Sequence, residues 1–575
     1  MVIGVDGLML FYDYEVFHED WLVVIMDIKN QKETIIHNDR EKLIDFHEKN
    51  NHEIWVGYNN KGYDQWIHKA LICGLDPKEL NDWIIVENKK PWEFSKAFWK
   101  VYMYNYDVMN FGDGGLKTLE AYMGNNIHES DVPFDIERKL TEEEIQATIE
   151  YCRYDVQQTA EVFLKRQDQF NAHMGLIKIA SGDHGLNLNL LGSTDANLSA
   201  TLLDARKVTR DDEFDITFPD TLKLDKYKYV QDWYKNPENH DYEKRLETKI
   251  AGVPHVFGWG GIHGAIDQYH GKGDYLLMDV GSMYPSLMIE YDLLSRNVRD
   301  PKYFEEIYKQ RMKYKAEGNP IQESLKLVLN TTYGAMGASF NKLHDQRMRN
   351  LVCIYGQLLL LDLVEKLEGH VQVIQTNTDG VLIKINNDDD YYLVDDIAYE
   401  WEKRTRLSLE FEEFTQIHQK DVNNYVMVEK NGTIHSKGSY VKKLNDLDNN
   451  LPIVNKALID AMTKNIPVEQ TINECDELLQ FQMVAKVTGK FSHFLHGRKR
   501  LPEKTVRVFA STDKRHKGLV RVHKETGNEF KQPSSPEHCF LNNDDLHGVK
   551  VPSNLDKQFY IEMAQNRLKD FGVVL

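Results

Sequence analysis

Cysteine is scarce in this chain. The five present, Cys73, Cys152, Cys353, Cys475 and Cys539, lie far apart without a CxxC pair. That spacing excludes a disulfide framework and a cysteine-based zinc or iron–sulfur centre, and it fits a reducing cytoplasm. Proline is also sparse, at 15 in 575 residues, while 28% of residues are charged and 11% aromatic, so disordered, collagen-like and low-complexity classes are excluded. Long apolar runs are missing too. The longest, Leu358 to Leu361 continued by Leu363 and Val364, is broken by Asp362 and is too short for a bilayer span, so no membrane partner is expected. The first residues carry no basic stretch followed by an apolar one, so no secretory leader is expected. Positive charge is in deficit, with a net charge of -20, which taken as an average argues against nucleic acid. The average conceals segregation. Between Lys486 and Lys531 there are 13 Lys and Arg against 4 Asp and Glu, leaving -29 on the rest of the chain. Phe491, Phe494 and Phe509 are interleaved with these cations, a pattern suited to a groove that tracks a nucleic-acid backbone.

A chain of 575 residues with 41% hydrophobic content holds three or four ordinary domains. Met9-Leu-Phe-Tyr12 and Trp21-Leu-Val-Val-Ile-Met26 read as a strand hairpin opening a mixed sheet. The segment 141–166 reads as a helix, because Thr141-Glu-Glu-Glu144 has the form of a capping box. An α/β domain of about 170 residues results. Residues 171–270, with a Gly192–Asp195 turn, a helix-like 196–205 and a lysine-rich stretch to Lys249, read as a connecting region. Tyr275–Val280 is a buried strand that breaks at Gly281 and restarts as a helix near Pro285. Helices are expected at 302–315 and 322–333, with another ending near Gly369. Val371–Ile374 and Val381–Ile385 flank the tight turn Asn377-Thr-Asp-Gly380, a strong hairpin signal.

Asp279 closes one strand and Asp379 sits at a hairpin tip, so adjacent strands of one sheet would bring the two carboxylates together. Two hard anions a few ångströms apart invite magnesium, and such a pair suits in-line phosphoryl displacement. Lys326, Asn330 and Tyr333, spaced i, i+4, i+7, share one helix face, and Arg311 and Lys315 lie i, i+4 on the preceding helix. This cationic face could neutralise a triphosphate and its pyrophosphate leaving group.

These residues carry a resemblance. Asp279-Val280-Gly281-Ser282-Met283-Tyr284-Pro285-Ser286 resembles the DxxSLYPS motif A of family B DNA polymerases. Lys326-Leu-Val-Leu-Asn330-Thr-Thr-Tyr333-Gly334 resembles KxxxNSxYG, motif B, and Thr376-Asn377-Thr378-Asp379-Gly380 looks like YGDTDS, motif C. Arg311 and Lys315 fall where the family carries its upstream triphosphate-binding pair. Trp259-Gly260-Gly261 resembles the YxGG segment, and Lys420 with Tyr425, then Lys437-Gly438, resembles the KxY region at the primer terminus. Further upstream, Asp13-Tyr14-Glu15, Asn60-Lys-Gly-Tyr63-Asp64 and Tyr151-Cys-Arg-Tyr154-Asp155 resemble motifs I to III of a DEDD-type 3′→5′ exonuclease. There are departures: Asn377 replaces the first motif C Asp, Gly380 the usual Ser, Met283 the usual Leu, and Val16 follows the exonuclease Glu where Thr is common. Phe257 or Gly258 stands where the YxGG tyrosine belongs.

The resemblance implies an α/β and α+β multidomain fold, an RNase H-like exonuclease domain (1–170) and a connecting region (171–270) ahead of a right-hand polymerase. Palm (271–300 and 346–445), fingers (301–345) and a basic thumb (446–575) follow. It implies two magnesium ions per active site, with manganese as a substitute, held by Asp279, Asp379 and Val280, and by Asp13, Glu15, Asp64 and Asp155 in the exonuclease, where Tyr151 orients water. Ser282, Tyr284, Arg311, Lys315, Lys326, Asn330 and Tyr333 would bind the deoxynucleotide, Tyr284 rejecting ribose. Asn60, Gly260, Gly261, Lys420, Tyr425, Lys437, Lys499 and Arg500 would contact DNA. Only 47 residues separate Asp279 from Lys326 and 53 separate Lys326 from Asp379. That leaves no room for the insertions of protein-primed relatives, so the expectation is a compact phage-type monomer in an infected bacterium's cytoplasm. It would extend nucleic-acid primers for genome replication, with helicase and single-stranded DNA-binding protein as helpers. The rival readings are an exonuclease with a weak polymerase half and a non-catalytic DNA-binding protein.

Overall fold

The structure is a computed structural model that describes residues 9–182 and 185–573. It is a mixed α/β chain with sixteen α-helices and four sheets among the described residues, divided into two compact units. The first unit comprises the residues up to Ser193 together with Leu444–Leu451 and Asp476–Asp556; the second comprises Thr194–Lys443, Pro452–Cys475 and the residues from Lys557 on.

In the first unit, β1 (Met9–Val16), β2 (Trp21–Asp27) and β3 (Lys32–His37) form an antiparallel meander. Strands β4 (Ile54–Gly57) and β5 (Tyr104–Asp107) join it in parallel beside β1. The expected hairpin is thus present, and β2 is buried along its whole length, which is why its apolar run does not alternate. Helices α1 (Arg40–Asn50), α2 (Asp64–Cys73), α3 (Pro77–Ile85), α4 (Leu116–Met123), α5 (Glu142–Lys165) and α6 (Gln167–Ser181) surround the sheet. Tyr12, Val23, Ile25, Trp55 and Ile67 form part of its core. Helix α5 starts as its sequence requires: the Thr141 hydroxyl accepts from the Glu144 N–H, and the Glu144 carboxylate accepts from the Thr141 N–H at 2.7 Å.

The second unit begins with α7 (Asp195–Leu202) and α8 (Lys228–Lys235). Its centre is a nine-stranded sheet built from β6 (Arg245–Ile250), β7 (Val253–Gly258), β8 (Gly261–Ala265), β9 (Tyr269–Val280), β10 (Gln372–Thr376), β11 (Gly380–Ile385), β12 (Leu409–Asp421), β13 (Asn424–Glu429) and β14 (Ile434–Lys437). The order is β14-β13-β12-β9-β11-β10-β8-β7-β6. Residues 245–265, inside the expected connecting region, are therefore strands of this sheet. Strand β6 hid in the sequence because it is an edge strand whose charged residues point outward in alternation.

The helices of this unit are α9 (Met283–Glu290), α10 (Pro301–Ala316), α11 (Ile321–Met336), α12 (Gln346–Leu367), α13 (Asp388–Thr405), α14 (Pro452–Lys464), α15 (Val468–Glu474) and α16 (Lys557–Asp570). The long leucine run lies in α12 as a buried core helix. Its interrupting Asp362 is fully buried and accepts both Arg404 terminal nitrogens at 2.8 Å, which satisfies the charge where it stands. No described helix is long and apolar enough to cross a membrane.

The first unit is completed by β15 (Met483–Lys486), β16 (Phe491–His496), β17 (Lys499–Arg500), β18 (Thr505–Ala510), β19 (Leu519–His523), β20 (Glu529–Lys531) and β21 (Cys539–Leu541). They form a three-stranded sheet, β15-β18-β21, and a four-stranded one, β17-β16-β19-β20. Arg507 of β18 anchors them to α4. Its fully buried guanidinium donates to the carbonyls of Glu120 and Ala121 at 3.2 Å, of Asp544 at 2.9 Å, and to Gln482 Oε1 at 3.0 Å. Burial pulls its pKa down to about 10, and these acceptors offset the desolvation. Residues 446–575, expected as one thumb, are thus shared between the two units.

Candidate active sites

In the second unit, antiparallel pairing places Gly380 opposite Asp279, and the Val280 N–H donates to the Asp379 carbonyl at 2.8 Å. Asp279 near the end of β9 and Asp379 in the bend directly before β11, the two residues expected to meet, are therefore at one end of the sheet. A β-carbon built on Gly380 would lie 1.7 Å from Asp279 Oδ1, so a side chain there would displace that carboxylate. Burial, then Asp379, Glu412 and Glu410, push the Asp279 pKa up to about 7. A partly buried Asp279 beside an exposed Asp379, with uncompensated negative charge, is a donor set that fits a hard divalent cation.

Beyond Asp279 the chain turns sharply. Gly281 donates its N–H to the Ser408 carbonyl at 2.8 Å, and Ser282 adopts a left-handed φ of 47° as it enters α9. Arg311 of α10 donates to Ser282 Oγ at 3.0 Å, so the upstream cation reaches motif A directly. The rings of Tyr284 and Tyr333 stack with centroids 4.0 Å apart, joining α9 to α11. Lys315 and Asn330 are exposed, and Lys326 pairs loosely with Glu323 at 3.6 Å, leaving all three available to a ligand beside the packed α10 and α11.

The residues expected beside the primer gather on the same sheet. Gly260 lies in the β7–β8 turn, and Gly261, at φ 147°, has its missing β-carbon position 3.5 Å from Thr378 Oγ1. Gln419 pairs with Tyr425 and Tyr425 with Lys437, so Lys420, Tyr425 and Lys437 sit on adjoining strands; burial, then Asp279 and Asp379, raise the Tyr425 pKa. Asn377, the departure in motif C, hydrogen bonds His263 of β8, whose pKa is lowered by burial.

The first unit brings its five expected residues together. Asp13 and Glu15 lie on β1, Asp64 opens α2, and Tyr151 and Asp155 share one face of α5. Asp64 Oδ1 accepts the Tyr14 N–H at 3.1 Å. Burial drives the Asp13 and Glu15 carboxyls well up, reinforced for Asp13 by Asp64 and Glu15 and for Glu15 by Asp155 and Asp64; burial sets Asp64 at about 7. Tyr151 hydrogen bonds Asp155. Ligand atoms of Asp13, Glu15 and Cys152 lie within 4.8 Å of one another. Burial raises the Cys152 thiol, so it stays protonated and the oxygen donors again favour a hard cation.

Sequence reasoning missed Lys117. From α4 it contacts Asp155, lies 3.1 Å from Glu120 Oε1, and stands 4.8 Å from the Tyr151 ring centre. Its Leu-Lys-Thr setting gave no signal, because a lone lysine in a helical pattern reads as solvent-facing. Asn60, expected at DNA, is fully buried and donates to Asn105 Oδ1 at 2.9 Å and the Tyr106 carbonyl at 3.0 Å, which fixes the turn ahead of Asp64. Lys499 and Arg500 are exposed on β17.

Comparisons with known proteins can be set beside this geometry. No family model matches the chain. It is similar to the DNA polymerase alpha catalytic subunit of Leishmania donovani, 24% identical over 233 residues covering 32% of this chain. The match spans 17% of that protein's length. Among solved structures it is similar to the family B DNA polymerase from the hyperthermophilic archaeon Pyrobaculum calidifontis, with TM-score 0.44 and 15% identity over 99% of this chain and 78% of that one.

Proposed function

We propose that this chain is a family B-type DNA polymerase: it adds deoxynucleotides to a primer 3′-hydroxyl on a template and carries a 3′→5′ exonuclease. The observation that carries the reading is the register that sets Asp279 opposite Gly380, next to Asp379, with Arg311 on Ser282 and Tyr284 against Tyr333 around it. Asp279 and Asp379, with Val280, would hold magnesium, which lowers the pKa of the attacking hydroxyl and screens the phosphates. The primer oxygen bonds the α-phosphorus as the bond to the β-phosphate oxygen breaks. Arg311, Lys315 and Lys326 take up the negative charge of the departing pyrophosphate. Tyr284, braced by Tyr333, closes the space a 2′-hydroxyl needs, and Asn330 borders the nascent pair. Lys420, Tyr425, Lys437 and the Gly260-Gly261 turn position the primer strand.

In the exonuclease half, Asp13, Glu15, Asp64 and Asp155 would hold magnesium while Tyr151 aims water at the terminal phosphodiester. The short α10–α11 pair, with only helices α9 and α12 and strand β10 besides it and no large insertion between the three motifs, supports a compact, phage-type enzyme on nucleic-acid primers. A primer-extension gel tests the whole reading. Wild type lengthens the primer with deoxynucleotides and shortens it without them; Asp379→Ala loses lengthening alone, and Asp13→Ala with Glu15→Ala loses shortening alone. Lengthening by Asp379→Ala would refute the carboxylate assignment.

A further inference from the structure

Two strands of the basic stretch, β15 and β18, pack on the helix whose Lys117 reaches Asp155 of the carboxylate cluster. Sheet β15-β18-β21 packs on α4, the helix that carries Lys117 and Glu120. At the start of that helix, a β-carbon on Gly115 would come 3.2 Å from Lys486 Nζ. The Lys504 backbone N–H bonds the Glu129 carboxylate, which lies in the field of Lys117 and Asp155. Lys486 and Lys504 end the same β15–β18 ladder, with the Val487 N–H donating to the Lys504 carbonyl at 2.8 Å. Neither closes an ion pair with a described residue, although both lie in the field of Glu129; nor do Lys490 and Lys524.

Farther along, the four-stranded sheet carries an aromatic cluster. The Arg521 guanidinium lies 4.0 Å from the Phe491 ring centre, and Phe530 meets Phe491 edge-on at 5.8 Å while 46% exposed. Arg521 Nε is buried without a partner. Unpaired cations followed by exposed rings are what a single strand uses: phosphates on the former, a base on the latter.

We infer that β15–β20 form the track by which a single strand reaches the exonuclease carboxylates, Lys486 and Lys504 taking phosphates near them and the Phe491–Arg521–Phe530 cluster stacking a base farther out. The inference rests on the exonuclease reading and departs from the expectation that this stretch grips duplex.

The test uses the full chain and a fluorescein-labelled oligothymidylate, measured by anisotropy in chelator across a salt series, with a blunt duplex in parallel. Lys486→Gln with Lys504→Gln should reduce the salt slope for the single strand by about 1.4, at about 0.7 per lost phosphate contact, and leave duplex binding unchanged. Phe530→Ala should weaken single-strand binding about tenfold. With magnesium, the lysine variant should raise KM for strand degradation and leave kcat unchanged. If the double variant melts early, the exposed Lys504→Gln alone should reduce the slope by about 0.7. An unchanged slope, or an equal loss on duplex, overturns the track. A wild type that degrades nothing removes the nuclease reading, while the chelator arm still judges the track by itself.

Discussion

Replacing Asp279 by Asn removes one charge from a crowded pair, and its effect on stability can be worked out. Burial, Asp379, Glu412 and Glu410 hold Asp279 at about 7 against an ordinary 3.8. Some three pKa units at about 1.4 kcal/mol each give about 4 kcal/mol as the full cost of ionising it in the fold. Relaxation and water entry around a partly open site reduce this to about 2 kcal/mol. The sign follows from proton binding. The folded chain holds this proton more tightly than the unfolded one, so wild type loses stability as pH rises from 3.8 to about 7 and stays lower above that. Asn has nothing to ionise, so Asp279→Asn should be more stable at pH 8 in chelator by about 2 kcal/mol, or about 4 °C of melting temperature, and by about half that at pH 5.5. Magnesium should raise the wild-type melt by more than the variant's, which keeps only the Asp13, Glu15, Asp64 and Asp155 site. Paired scanning-fluorimetry melts measure all of this. A variant no more stable than wild type at pH 8 in chelator would refute the reasoning that these carboxylates repel.

The same pKa gives extension a pH dependence: at subsaturating magnesium the rate should fall about tenfold per unit below pH 7 and recover in excess magnesium, and a magnesium-independent profile would contradict it. Lys117→Met leaves Asp155 and Glu120 buried without their cation; denaturant melts should show a loss of about 3 kcal/mol at pH 8, shrinking toward pH 5 as the carboxyls take up protons. Tyr284→Ala should raise ribonucleotide incorporation about tenfold or more on sequencing gels, with Tyr333→Ala producing part of the same effect through the lost stack.

Much of the frame was legible because it depended on local chemistry. The Thr141 capping box, the Asn377–Gly380 turn and the i, i+4 pair Tyr151 and Asp155 are short-range signals, and each stands where the sequence put it. Asp279 and Asp379 were found through strand ends. What stayed hidden was long-range. Strand β6 carries its charges outward and so lacks an apolar stripe; Arg507, the fully buried single cation of β18, read as one more charge in a basic stretch. Lys117 gained its meaning only when α4 met α5. His263, 114 residues from Asn377 in sequence, could not be paired with it before the sheet order was known.

The first unit is sewn from three lengths of chain, and the last, Asp476–Asp556, is made only after nearly all of the second unit has left the ribosome. Until β18 emerges, the carbonyls of Glu120, Ala121 and Asn125 wait for Arg507. A nascent chain must therefore carry the first half of this unit unfinished across synthesis of the intervening residues. A gene cut after Lys443 would yield that half without the strands that close it.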